Sequence, residues 1–130
     1  MQKINGTTLS AGANYSPAFI TRIQNGVARA FRTTRAELLS RGRTQRVACA
    51  RQVAMYLCRD IARNGAESRS GAWASFPRIG MAFERDHSSV IHAYRRVALR
   101  RARDEEFAQM IDELERDLGG GAPALAGSQP

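Results

Sequence analysis

The densest group of chemically capable side chains lies in one run, Phe83 to Val97, FERDHSSVIHAYRRV, which holds Glu84, Asp86, His87, Ser88, Ser89, His92 and three arginines. Three kinds of site chemistry could use such a set. Nucleophilic or acid–base catalysis needs a nucleophile and a base within hydrogen-bond reach of each other. Asp86 and His87 are adjacent and leave a helix start in different directions, and no motif sets a serine or cysteine nucleophile against them. A metal centre needs ligands on one face. His87 and His92 are five apart, not the three or four that share a helical face, and no second ligand cluster accompanies them. Nucleotide hydrolysis needs a phosphate loop of the form GxxxxGK[ST], and the single lysine, Lys3, has no such context. The sequence predicts no catalytic residue, no metal, no cofactor and no bound nucleotide: not an enzyme.

Contact with a polyanion is the chemistry that remains. The formal charge is +8 and the pI near 10.9. Clustered cations release counterions from phosphate and steer association over long range. Arginine dominance alone can reflect genome base composition, but the charge is sorted along the chain. Arg41 to Arg51 holds four arginines and no acid, and Arg85 to Arg103 holds six arginines against Asp86. Asp104 to Leu118 holds seven acids against Arg116, and reads as a solvated helix.

These side chains must be positioned by helices. Residues 1–15 are polar and glycine-bearing and read as a flexible N-terminus, residues 119–130 as a disordered tail, and residues 16–118 as one domain. Within that domain the apolar spacing is helical and no stretch alternates with period two, so the fold class is all-α. Ser16-Pro17 opens a first helix with the stripe Ile20, Ile23, Val27, Ala30 and Phe31. Thr34 to Glu37 has capping-box spacing before Leu38-Leu39, followed by a loop from Ser40 that carries Arg41 and Arg43. The strongest helix spans about Val47 to Arg63, with Ala50, Val53, Ala54, Leu57, Cys58 and Ile61 inward and Arg51, Gln52 and Arg59 outside. Asn64-Gly65 stops it, and a loop to Ser75 carries Trp73, either a core plug, the favoured reading, or an exposed contact.

Cys49 and Cys58 share that long helix, roughly 13 Å apart at its rise per residue, too far to pair, so both read as thiols of a reducing compartment. With no apolar leader and no membrane-length stretch, the sequence predicts a cytoplasmic protein without membrane contact.

Ser75 and Pro77 open a short helix carrying Phe76, Ile79, Gly80 and Phe83. About three residues later Asp86 is placed as the N-cap of the next helix. Val90, Tyr94, Val97 and Ala98 face its core, while Ser88, Ser89, His92, Arg95 and Arg96 face out. A last helix buries Phe107, Met110, Ile111, Leu114 and Leu118 and ends at Gly119. A short helix, a tight turn and a helix with polar first turns form helix-turn-helix logic, in which the second helix enters the major groove and its N-terminal side chains reach base edges.

The same residues carry a resemblance. RVACARQVAMYLCRDI and SFPRIGMAFERDHSSVIHAYRRV closely resemble the C-terminal DNA-binding domain of the DnaA family, the bacterial chromosomal replication initiators, over about Phe19 to Leu118. Arg51-Gln52, Ile79-Gly80, Phe83, the run from Arg85 to Val90, and His92-Ala93 occupy the places of the family pattern. The resemblance implies a small helical bundle containing a helix-turn-helix, Trp-repressor-like, that binds double-stranded DNA. It implies that Arg43 enters the minor groove, that Arg51, Gln52 and Arg59 hold the phosphate backbone, and that Phe76-Pro77 lies where a helix start meets the strand. Asp86, His87, Ser88, Ser89 and His92 would read the major groove of a DnaA box, with Arg85 beside them.

Three departures mark this chain. One residue, Glu84, stands where the family pattern has two glycines; the loop from Asn64 to Ser75 is longer; and serines replace both threonines, removing methyl groups that could meet thymine. The ATPase and N-terminal modules of the family do not fit in 130 residues. The expected function is sequence-specific binding at DnaA-box-like sites that modulates replication initiation or transcription without its own ATPase, with replication or transcription proteins as further partners. The alternative is a protein-interaction module, or a non-specific DNA-binding protein, that kept the fold and lost box recognition.

Overall fold

The computed structural model describes residues 15–64 and 75–119, and these form six helices with no strand among them. They are α1 (Tyr15–Ala30), α2 (Arg35–Leu39), α3 (Gln45–Asn64), α4 (Phe76–Phe83), α5 (His87–Arg103) and α6 (Glu105–Gly119). The all-α class read from apolar spacing therefore holds. The expected flexible N-terminus and tail, and Trp73 with its long loop, lie outside the described residues.

Central α3 packs against all five other helices, which is why the run from Val53 to Cys58 is buried on every side rather than on one stripe. Its inward residues Ala50, Val53, Ala54, Leu57, Cys58 and Ile61 meet Ile23 and Val27 of α1, Ile79 and Phe83 of α4, Val90 and Val97 of α5, and Ile111 of α6 in one core. Cys49 and Cys58 are both free thiols, and burial raises the Cys58 thiol above its ordinary range.

Two details of α1 differ from the sequence reading. The helix begins at Tyr15, so Ser16 lies inside its first turn, and Ala28 rather than Ala30 is buried. The stripe also includes Gln24, fully buried, which periodicity in apolar residues cannot reveal. Its Nε2 donates to the Ala82 carbonyl at 3.2 Å, and its Oε1 accepts from Arg35 Nε at 2.6 Å, so one amide ties α1 to α2 and α4 with both of its ends satisfied.

The acidic segment is less solvated than its composition suggests. Arg101 of α5 donates to the Tyr56 hydroxyl at 2.8 Å, pairs with Asp112, and lies 3.6 Å from Asp60 and 3.7 Å from Glu115. Burial first, and Asp60 second, push the Glu115 carboxyl up to about 8. Between its ordinary range and that value the folded chain keeps a proton that the unfolded chain has released, so stability falls as pH rises through this window. Urea denaturation at pH 5.5 and pH 8.5 should show a loss of roughly 1–2 kcal/mol for the wild type, screened by Arg101 and solvent. Glu115→Gln, a fixed stand-in for the protonated form, should flatten that difference; an equally steep variant would place the titration elsewhere.

Phe107, Ile111 and Leu114 of α6 are in the core, with Met110 and Leu118 packed against it.

Candidate nucleic-acid interface

The helix-turn-helix is set by a few local choices in the sequence. The Ser75 side chain accepts from the Arg78 amide at 3.3 Å, and Pro77 lies in the first turn, so α4 starts where the sequence places it. Ile79, Gly80 and Phe83 face the core. The helix ends at Glu84, which adopts the left-handed region (φ 59°, ψ 44°) with its amide directed at the Gly80 and Met81 carbonyls. The Arg85 amide then donates to the Gly80 carbonyl at 2.8 Å. One left-handed residue supplies the reversal, and three residues, Glu84 to Asp86, separate α4 from α5.

A left-handed conformation costs a residue with a Cβ roughly 1–2 kcal/mol, and glycine avoids that cost while adding unfolded-state entropy. Glu84 is exposed and gives up no packing if changed. Glu84→Gly should therefore stabilise the chain by about 0.5–1 kcal/mol, read as a melting temperature a few degrees higher. A lower melting temperature would mean that the carboxylate holds the turn.

Asp86 takes the N-cap position with extended backbone, and its carbonyl accepts from the Ser89 amide at 3.0 Å, but its side chain makes no capping hydrogen bond. The expected carboxylate cap is thus met in position and not in bonding. Asp86, His87, Ser88 and Ser89 are all exposed at the start of α5, and His92 is exposed one turn later. Open amides at a helix start favour nearby anions. Val90, Ala93 and Val97 hold the opposite face to the core; Tyr94 is half-buried, stacked 5.0 Å from Tyr56 and edge-on to Phe76 at 5.7 Å.

Beside this helix start lies the loop between α2 and α3. Thr34 accepts from the Glu37 amide at 3.1 Å to open α2, while the Glu37 carboxylate accepts from the Thr33 hydroxyl instead of closing a reciprocal box. The Ser40 hydroxyl donates to the Glu37 carbonyl at 2.7 Å and accepts from the Gly42 amide at 3.0 Å, which turns the chain outward and leaves Arg41 and Arg43 exposed. Thr44 then caps α3 through the Val47 amide at 3.4 Å.

Arg51 underpins the loop. Its Nε donates to the Leu38 carbonyl at 2.7 Å, and its Nη2 reaches the carbonyls of Ser40 at 3.1 Å, Gly42 at 3.2 Å and Glu37 at 3.4 Å. Burial, and then the charge of Arg85, lower its pKa, yet a guanidinium stays charged. Arg59 lies farther along α3 with its guanidinium 4.7 Å over the Phe76 ring, at the start of α4.

An open groove between α3 and α5 brings together Arg51, Gln52, Arg85, Ser89, His92 and Arg96, and continues past Gln45 to Arg100 and Arg103. Arg43, Asp86, His87 and Ser88 stand outside the groove lining, and Arg59 lies apart at the α4 start. Arg95 and Arg96 line the groove although the sequence reading gave them no role; their spacing of three and four from His92 is the signal that could have done so. Among the described residues no three His, Cys, Asp or Glu are placed to hold a metal ion, and no helix is long and apolar enough to cross a membrane.

The chain is similar in sequence to known proteins. The family described as the bacterial DnaA protein helix-turn-helix matches residues 20–97. The chromosomal replication initiator protein DnaA of Caldanaerobacter subterraneus subsp. tengcongensis is 35% identical over 98 residues, 75% of this chain and 20% of that protein. The protein of the same name from Streptococcus thermophilus is 36% identical over 100 residues, 76% of this chain and 20% of its own. The chain thus spans about one fifth of the length of these curated relatives.

Proposed function

Because the chain belongs to the bacterial DnaA helix-turn-helix family, whose domain binds DNA, we propose that it recognises double-stranded DNA at DnaA-box-like sites and so modulates replication initiation or transcription at the nucleoid, as a binding domain without catalysis. One observation carries this reading. The exposed start of α5, with Asp86, His87, Ser88 and Ser89, is tied to the exposed loop of Arg41 and Arg43 through the Arg85–Ser40 hydrogen bond, and Ser89 at that start lines the basic groove. A helix start of α-helical width fits the major groove, and an arginine on a short loop fits the narrow minor groove beside it. Gln52, Arg95 and Arg96, which line the basic groove, would meet phosphates. The shortened turn and the serines at 88 and 89 bear on sequence choice more than on backbone affinity.

The test is fluorescence anisotropy with a labelled DnaA-box duplex and a scrambled duplex across a salt titration. The box should bind more tightly at every salt concentration. Equal affinity would leave a non-specific DNA-binding protein, and no affinity at low salt would leave a protein-interaction module. Arg43→Ala and His87→Ala should each cost about 1–3 kcal/mol on the box and much less on the scrambled duplex.

A further inference from the structure

Ser40 closes α2, and its backbone carbonyl is where the loop and the helix-turn-helix meet. Arg85 Nη2 donates to that carbonyl at 2.7 Å across a sequence separation of 45. Arg51 Nη2 donates to the same oxygen at 3.1 Å. Arg85 also donates through Nη1 to the Phe83 carbonyl at 3.1 Å and the Glu84 carbonyl at 3.4 Å, which pins its guanidinium over the turn that launches α5. One planar fork therefore bonds the end of α4 on one side and the loop carrying Arg43 on the other. Loop residues Ser40 to Thr44 are exposed. With so little packing, the position of this loop depends on the bonds made to its carbonyls.

We propose that Arg85 is a positioning residue: through the Ser40 carbonyl it fixes the Arg43 loop relative to the start of α5, so that minor-groove and major-groove contacts fall in register on one duplex. This inference rests on the DNA-binding reading above. It departs from the expectation that Arg85 itself contacts DNA beside the base readers, because both of its Nη groups are engaged with the protein's own backbone. A lysine ammonium, whose three donors sit on one nitrogen, lacks the planar spread by which Nη1 and Nη2 reach the Phe83 and Glu84 carbonyls on one side and the Ser40 carbonyl on the other. The two guanidinium groups that converge on Ser40 use carbonyls as acceptors and form no ion pair among the described residues.

The experiment is a double-mutant cycle on a box duplex with Arg43→Ala, Arg85→Ala and the double variant, together with 15N relaxation at Gly42 and Arg43 in the DNA-free chain. Each single variant should weaken box binding about fivefold or more, while the double variant should lie within about twofold of the weaker single. Backbone order at Gly42 and Arg43 should fall in Arg85→Ala. Arg85→Lys, which keeps the charge and the stem, should show the same changes in smaller measure and serves where the alanine variant does not fold. Multiplicative losses in the cycle would make Arg85 an independent DNA contact and overturn the proposal. So would unchanged loop order in both Arg85 variants, whether or not the wild type prefers the box. Equal wild-type affinity for box and scrambled duplexes would instead sink the box-recognition reading, leaving the relaxation result to decide the role of Arg85.

Discussion

Replacing Phe83 with alanine is expected to cost about 3–5 kcal/mol, the range for removing a large aromatic ring from a packed interior. Phe83 is fully buried and is the last residue of α4, so its ring anchors the segment immediately before the turn. Without it a void opens between the α3 core residues and the α4–turn–α5 unit, and the left-handed residue that follows loses its fixed support. Marginal domains have only about 5–15 kcal/mol in all. Urea denaturation followed by circular dichroism should show the midpoint falling sharply, and DNA affinity should fall with the folded fraction. Phe83→Leu should cost clearly less, since much of the volume remains. A loss under about 1 kcal/mol for the alanine variant would mean that α4 is held by something other than this ring.

Gly80→Ala should be the second large effect, and its sign is informative. In an open helix interior alanine is favoured over glycine by about 1 kcal/mol. At position 80 a Cβ would lie 2.6 Å from the Arg85 carbonyl oxygen and 3.4 Å from backbone atoms of Asp86 and His87. Those are backbone atoms of the turn, so relief requires moving the turn itself. Overpacking of this kind costs about 1–3 kcal/mol, enough to override the propensity gain. The larger consequence is geometric: displacing residues 85–87 moves the start of α5, so discrimination between box and scrambled duplexes should suffer more than the melting temperature does. An alanine variant that melts higher and discriminates as well as the wild type would show that the close approach is not required.

How much of this was legible in the sequence depended on the kind of interaction. Helix starts were readable where a side chain does the capping: Thr34 and Ser75 accept from the amides that their spacing implies. The buried stripe of α3 was readable because apolar residues recur with the helical period, although its central position also buries Met55 and Tyr56 outside that stripe. The exposed start of α5 followed from polar residues opposite Val90 and Val97. Interactions that join polar atoms over long sequence separations were not readable. Nothing in the local pattern marks Gln24 as buried, Arg101 as the partner of Tyr56 and Asp112, or Arg85 as the partner of the Ser40 carbonyl. Hydrogen bonds to backbone carbonyls leave no complementary residue type to look for, and so charge patterning counted Arg51 and Arg85 as surface cations only.

That distinction bears on the near absence of lysine. Arg51 uses its fork to gather four carbonyls, Arg85 uses its own to span three, and Arg59 and Arg100 lie over the rings of Phe76 and Phe107 at 4.7 and 4.1 Å. An ammonium group has neither the planar spread nor the weakly hydrated face that these positions use. A chain with lysine at all four positions would keep its net charge and its long-range attraction to phosphate. It would nevertheless lose the joints that hold the loop to α3 and to the turn, so the arginines of this protein belong partly to its skeleton.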